Sequence, residues 1–507
     1  MILRQHKGVP KKGLSMVNRV IGVFLSALVV GCTGSREMLQ IPPAPTSRLS
    51  ALSLSSFPHV KTQIDALLAD SLFPPSNVGI RIVSLTRGEH LYSLNDNMLF
   101  NPASNEKLLT TATALMNLGT SYGFSTAVFA DTLRHRVILK GYGDPLTSTA
   151  DLDSLARRVA PYLSWTAPWR VAVDVSFFDD LSWGAGWNWD EEPAAYGMFI
   201  SPVTLNNNTI NVRVLPSPKA GTPPLIRIDP PTSYVTLENT ATTVVDSPTV
   251  PLEISRKWRE RSNTITVAGQ IRLGGRARTE QLSLWKPELY AGSVFAERLQ
   301  ACGIPVAGTV TVDTVTSAMI ETERYVHGID TVLTFLNKVS DNLSAECVLK
   351  TIAAEKLGIP GSAVAGITRV HAYLSECGVD TNRISVADGS GLSRYNLTSA
   401  ATIVRLLERV YRDNQSFPLL YHALPIAGVD GTIGSRMKGT PAAGNLRAKT
   451  GSLSAVSALS GYVQTLDGEM LAFSILMQNY PGATRPYRMV QDAIGVYLAG
   501  LKRADFQ

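Results

Sequence analysis

The sequence predicts an α+β fold in which one antiparallel sheet, flanked by helices, is assembled from two distant segments and interrupted by a large β-rich insertion of one or two modules. Three observations point there. Strand patterns stand near both ends of the chain, helical patterns resume after about residue 328, and the stretch from about 125 to 320 breaks into short β-rich runs separated by Gly, Pro and Asn. With 507 residues, 45% hydrophobic and 17% charged, and a mean hydropathy of +0.07, the chain can fill several cores. Disordered and many-pass membrane classes are excluded.

The N-terminus reads as an address. Residues 1–31 carry Arg4, Lys7, Lys11, Lys12 and Arg19 without an acid, followed by the apolar run Val20–Gly31. That run is too short to span a bilayer and has the shape of an export signal. Removing these five cations from the net charge of +6 leaves +1, so the body offers no electrostatic case for a nucleic-acid partner. Val29-Val30-Gly31-Cys32 looks like a bacterial lipobox, which makes residues 1–31 a lipoprotein-type signal peptide and Cys32 the acylated residue. Acyl chains would anchor the protein to a membrane from the exported, periplasmic side without a spanning helix. Residues 32–56, rich in Ser, Pro and Thr, read as a tether. The remaining Cys302, Cys347 and Cys377 are an odd number with no metal-site spacing and read best as small buried hydrophobes.

After the tether, Ile64, Leu67 and Leu68 recur at helical spacing within Val60–Phe73. Val78–Leu94 reads as two strands around Thr86-Arg87-Gly88, and a buried helix entered near Ser104 runs to Gly119. Val137–Gly141, Val171–Val175 and Thr264–Leu273 are strand-like runs of the insertion. Helices follow around 330–337, 343–357, 362–376 and 398–413. Strands are expected at Leu446–Gly451, Ala455–Thr465 and Glu469–Met477, the last two joined by Leu466-Asp467-Gly468, with a closing helix near 484–500. Residues 57–124 and 328–507 therefore form one domain and 125–327 the inserted one.

Three short motifs occur in order: Ser104-Asn105-Glu106-Lys107, Ser340-Asp341-Asn342 and Lys449-Thr450-Gly451. Each alone has a bland reading, respectively an exposed helix turn, a helix cap and a strand ending in a turn. All three in order, in those contexts, point to nucleophilic catalysis. A Ser and a Lys three apart on a helix share a face, so the amine can approach a hydroxyl that is a poor nucleophile without a base. The amine serves only when unprotonated, which burial among Leu108, Leu109 and Leu115 and a second cation, Lys449, would favour. Ser340 can relay a proton, and Asn342 offers an amide to a substrate carbonyl. The absence of a side chain at Gly451 lets a substrate backbone lie beside the strand, and the N–H groups of Ser104 and Ser452 are candidates for an oxyanion hole.

With these residues in view, the sequence resembles the class C low-molecular-mass penicillin-binding proteins, the D-alanyl-D-alanine carboxypeptidase/endopeptidase family called peptidase S13. The resemblance covers nearly everything after the tether. It includes PASNEKLLTTATAL, SDNLSAECVLK and LRAKTGSLSAVSALSGYV, with Lys140–Pro145 and Asp388–Arg394 similar to that family's insert and late loop. Ser104 and Ser340 lie 236 residues apart (340 less 104), far more than in β-lactamases. The resemblance implies a β-lactamase/transpeptidase-like catalytic domain acting on peptidoglycan stem peptides. By the same resemblance Ser104 attacks the D-alanyl carbonyl, Lys107 is the general base, and Ser340 with Lys449 protonates the leaving amine. Asn342 holds the peptide, Lys449 and Thr450 bind the terminal carboxylate, and β-lactams acylate the same serine. It implies no cofactor and no metal, and the seven histidines form no H-E-x-x-H pair. For a lipoprotein β-lactamase the sequence offers no E-x-x-L-N stretch between Asn342 and Lys449, for a triad hydrolase it has no G-x-S-x-G, and a non-catalytic cell-wall peptide-binding module leaves the five polar residues without a purpose.

Overall fold

A computed structural model describes residues 52–69, 73 and 76–506. The leader, Cys32 and the tether up to residue 51 lie outside them. The fold is α+β. A six-stranded antiparallel sheet runs in the order Ser53–Leu54, Glu89–Leu94, Asn77–Ser84, Met470–Gln478, Val456–Gln464, Arg447–Leu453. Its centre is the pairing of Asn77–Ser84 with Met470–Gln478, where Ile80 faces Ile475 across nearly the whole length of the chain. Ser53–Leu54, expected to be tether, is instead an edge strand paired with Ser93 and Leu94.

The two hydrophobic faces of this sheet follow from alternation along its strands. Ala458, Tyr462, Ala472 and Leu476 point into a cluster with Leu108, Leu109, Val332, Leu336, Val348, Ile352, Ile403 and Leu407. Those residues belong to the helices Glu106–Leu118, Ile329–Lys338, Asn342–Leu357 and Ala400–Tyr411. Leu459, Val463, Leu471, Phe473 and Ile475 point the other way, against Val60 and Ile64 of Pro58–Leu67 and Ile494 and Leu498 of Arg485–Gly500. A strand buried on both faces reads as continuous apolar sequence, as MLAFSILMQ does. A short helix, Ser416–Ala423, had no clear signal because its Pro and aromatic residues break the apolar period.

The insertion begins and ends at one place. Gly123–Asp131 and Ile320–Gly328 are antiparallel neighbours with Gly123 opposite Gly328, so the chain leaves and rejoins at the base of a five-stranded sheet. Two helices cover that sheet, Thr149–Val159 and Pro287–Ala301, with Leu152, Leu155, Val294 and Leu299 packed on Val137, Leu139, Val171 and Val173. The first, not expected from the sequence, starts in a capping box where Ser148 and Asp151 satisfy each other's backbone N–H groups. Three smaller sheets follow within Thr209–Ser283. The insertion shares a core with the rest: Phe177, Phe178, Trp187, Met198 and Ile200 pack with Leu343, Cys347, Ala354 and Leu392. Cys302, Cys347 and Cys377 are all free thiols.

Candidate active site

Pro102-Ala103-Ser104 leads into a single 3₁₀ turn, Ala103–Asn105, that runs directly into the helix Glu106–Leu118. Ala103 sits at φ 46°, a left-handed conformation costly for a residue with a side chain. The turn is held from several sides. Ala103 N–H donates to Asn101 Oδ1 at 2.9 Å, and Asn105 Nδ2 donates to Ser460 Oγ at 2.7 Å. From this turn Ser104 faces a cleft, while Lys107, one helical turn on, is fully buried.

The Lys107 Nζ lies 3.1 Å from Ser104 Oγ, 2.7 Å from Asn342 Oδ1 and 2.6 Å from the carbonyl of Ser390. A neutral amine has two N–H donors and one lone pair. Asn342 and Ser390 take the two donors, which leaves the lone pair for the hydroxyl proton of Ser104. Burial pulls the Lys107 pKa down to about 8, working against the carboxylates of Asp388, Asp341, Glu346 and Glu106, which favour the ammonium. The sequence expectation that Lys449 depresses Lys107 needs correction. Burial is what depresses Lys107, and the repulsion between the two amines is felt at Lys449, itself lowered first by burial and then by Lys107.

Lys449 Nζ donates to Ser340 Oγ at 2.8 Å and to the Thr450 carbonyl at 3.0 Å. Ser340 is held at φ 64°, the second left-handed residue at the cleft. In Ser340-Asp341-Asn342 the cap and the cleft-facing side chains are different residues. Asp341 caps the helix Asn342–Leu357 by accepting from Ser344 N–H at 2.6 Å, while Ser340 and Asn342 face Lys449 and Lys107. Asn342 Nδ2 donates to the carbonyl of Tyr196 at 2.9 Å, so the insertion reaches the cleft.

Arg447–Leu453 is the edge strand of the six-stranded sheet; beyond its first residues, which pair with the 425–427 segment, its outer side has no neighbouring strand among the described residues and borders the cleft that Thr450, Gly451 and Ser452 line with Ser104 and Ser340. Gly451 also lies against the nucleophile turn. A Cβ there would stand 2.5 Å from the carbonyl oxygen of Pro102 and 3.1 Å from the Ala103 Cβ, so glycine is required by the turn that carries Ser104. Thr450 Oγ1 donates to Thr432 Oγ1 at 2.8 Å, and Arg488 Nη2 to Ser452 Oγ at 2.9 Å.

The five residues Ser104, Lys107, Ser340, Asn342 and Lys449 thus converge, with Thr450, Gly451 and Ser452 along one wall. Cys32 is not described. Sequence reasoning missed Glu346, Thr432, Arg488 and the anchoring use of the 388–394 loop. Glu346 accepts from the N–H groups of Gly389 at 3.0 Å and Ser390 at 2.8 Å, and thereby fixes the carbonyl that Lys107 binds. Asp388 accepts from Gly391 N–H at 2.8 Å, Ser393 N–H at 2.7 Å and Trp187 Nε1 at 2.8 Å. For Glu346 the only sequence signal was a charge placed among apolar residues. Burial and Asp388 raise the Glu346 pKa to about 7, and burial also raises that of Glu106, neither of whose carboxylate oxygens is partnered. Among the described residues no group of three or more His, Cys, Asp or Glu side chains is placed to hold a metal ion.

Residues 60–500 match the family described as the D-Ala-D-Ala carboxypeptidase 3 (S13) family. The chain is 34% identical over 497 residues to a D-alanyl-D-alanine carboxypeptidase of Actinomadura sp. (strain R39), covering 92% of this chain and 91% of that one. It is 24% identical over 439 residues to the D-alanyl-D-alanine carboxypeptidase DacB of Haemophilus influenzae, covering 85% and 90%. The crystal structure of penicillin binding protein 4 (dacB) from Haemophilus influenzae shares the fold, with a TM-score of 0.75 and 22% identity over 87% of this chain and 99% of that one.

Proposed function

The chain belongs to the D-Ala-D-Ala carboxypeptidase 3 (S13) family, and from that premise we propose that Ser104 is the nucleophile of a peptidoglycan D,D-peptidase. The enzyme is a serine-type carboxypeptidase that hydrolyses D-alanyl-D-alanine and is acylated by β-lactams. The observation that carries the assignment of Ser104 is the 3.1 Å approach of a buried, pKa-lowered amine to a hydroxyl at the cleft.

Lys107 Nζ takes the Ser104 proton as Oγ attacks the carbonyl of the penultimate D-alanine. The N–H groups of Ser104 and Ser452 stabilise the oxyanion, each worth about 10²-fold or more when aligned. The tetrahedral intermediate collapses with cleavage of the C–N bond. The proton taken up by Lys107 is relayed to the leaving amine through Ser340, whose hydroxyl Lys449 holds at 2.8 Å. Water then adds to the ester, the same groups acting in reverse, and releases the shortened peptide with Ser104 regenerated. The substrate strand lies along the outer side of Arg447–Leu453, with Asn342 holding its amide. Thr450, Ser452 and Arg488 receive the terminal carboxylate, and the guanidinium supplies the full charge that hydroxyls lack. D-alanyl cross-links present the same bond and a carboxylate on the leaving side, so they fit the same groove.

The export signal and the lipobox support location on the periplasmic side of the envelope, tethered through acylated Cys32. No helix among the described residues is long and apolar enough to cross a membrane. Mass spectrometry of the N-terminal peptide tests this, since an unmodified Cys32 or a different mature terminus contradicts it.

Fluorescent penicillin tests the nucleophile. The wild type carries a covalent adduct. Ser104→Ala carries none and loses at least about 10⁴-fold in D-alanine release. An adduct that persists at another residue overturns the assignment.

A further inference from the structure

The segment between Asn188 and Tyr196 serves two cavities. Asn188, Glu191 and Tyr196 line the reactive cleft beside Ser104 and Asn342, whereas Trp189 and Glu192 line a second cavity of about 720 Å³. Four of the chain's seven tryptophans meet there: Trp183, Trp189, Trp258 and Trp285. Trp189 is 68% exposed, although its ring lies 5.5 Å from that of Trp258 at an angle of 38°. Phe199 bridges the other pair, 5.2 Å from Trp183 and edge-on to Trp285 at 4.9 Å.

The rim is polar. The guanidinium of Arg259 sits 4.9 Å over Trp258 and that of Arg261 sits 4.8 Å over Trp285. Asp180 is exposed at the edge with no hydrogen-bond or ion-pair partner among the described residues. Below, Glu192 is fixed by an ion pair with the fully buried Arg256, which keeps the Trp189 segment in place.

Trp189 is exposed and Trp183, Trp258 and Trp285 are half-buried, so the cavity presents aromatic surface to water beside a charged rim, which is costly to hydrate. A saccharide matches both features. Its axial C–H face stacks on an indole, and its equatorial hydroxyls meet carboxylate and guanidinium groups at the edges. An apolar peptide would cover the rim charges without pairing them, and the near-neutral body argues against nucleic acid.

We propose that this tryptophan-lined cavity binds an N-acetylated amino sugar of the glycan strand that carries the stem peptide under cleavage. The proposal rests on the peptidase reading above. The shared segment 188–196 puts the sugar site next to the peptide cleft, so one substrate can occupy both. Strand-attached peptides then bind more tightly than free ones, with the chemistry at Ser104 unaltered.

The test is tryptophan fluorescence with chitotetraose, the β-1,4-linked tetramer of N-acetylglucosamine. The wild type shows a saturable change, and the double variant Trp189→Ala/Trp258→Ala binds about ten-fold more weakly. For glycan-linked muropeptides the same variant raises KM with kcat retained. No saturable change in the wild type, equal affinity in the variant, or preferential binding of an uncharged apolar peptide overturns the proposal. Penicillin labelling reports separately. Labelling lost while sugar binding persists defeats the peptidase reading, whereas labelling kept without sugar binding defeats only the cavity.

Discussion

At the scale of single residues, the site depends on keeping one amine uncharged inside a ring of carboxylates. Burial lowers Lys107 and four acids oppose it, which together leave its pKa at about 8. The free amine is the reactive form, so the rate of penicillin acylation should rise with pH across about 8 and then level off. Glu346→Gln removes one negative charge yet keeps an acceptor for the N–H groups of Gly389 and Ser390. The ammonium loses support, and the midpoint of that rise should move to lower pH. Stopped-flow acylation rates against pH measure both, and a midpoint indifferent to the substitution would remove Lys107 as the titrating base. Ser104 and Lys107 were legible in sequence because helical spacing alone puts them on one face. Glu346 was not, since its role depends on a loop more than forty positions away in sequence.

At the scale of elements, two small residues decide how the catalytic segments meet. Gly451 lies where the edge strand crosses the nucleophile turn, with no room for a methyl group against Pro102. Gly451→Ala should cost about 1–3 kcal/mol of stability by overpacking and cut acylation more than the lowered melting temperature explains, because Ser104 must shift. Melting curves and penicillin labelling on the same sample separate the two effects. Asp341 shows the opposite division, as cap of the helix Asn342–Leu357 and as one charge favouring protonated Lys107. Asp341→Ala should lose about 1 kcal/mol, whereas Asp341→Asn should keep the cap and only shift the acylation midpoint downward. Equal melting temperatures for the two variants would sink this division. The strands and most helices were legible from apolar period and turn residues. Thr149–Val159 escaped because its capping box was overlooked among β-like surroundings, and Ser53–Leu54 because a two-residue edge strand has no period.

At the scale of the whole molecule, the insertion is joined to the catalytic half by buried contacts as well as by its two chain crossings. Phe178 and Trp187 pack with Leu343, Cys347 and Leu392, and the Trp187 indole donates to Asp388, the anchor of the loop that binds Lys107. Replacing residues 125–327 with a short linker should therefore leave a protein that neither melts cooperatively nor labels with penicillin. Calorimetry and fluorescent labelling check it, and a labelled, cooperatively folded remainder would show the insertion to be dispensable. The sequence by itself determined the α+β class, the order of the three motifs and the pairing of Ser104 with Lys107. Each of these is carried by local spacing or by burial on alternate positions. Only the tertiary structure decided which groups surround that pair, because Ser390 and Glu346 reach the buried side of Lys107, and Tyr196 and Arg488 the cleft, from loops and helices whose local sequence specifies their own turns and not their distant neighbours. Long-range packing set those contacts, and with them the pKa of the reacting amine.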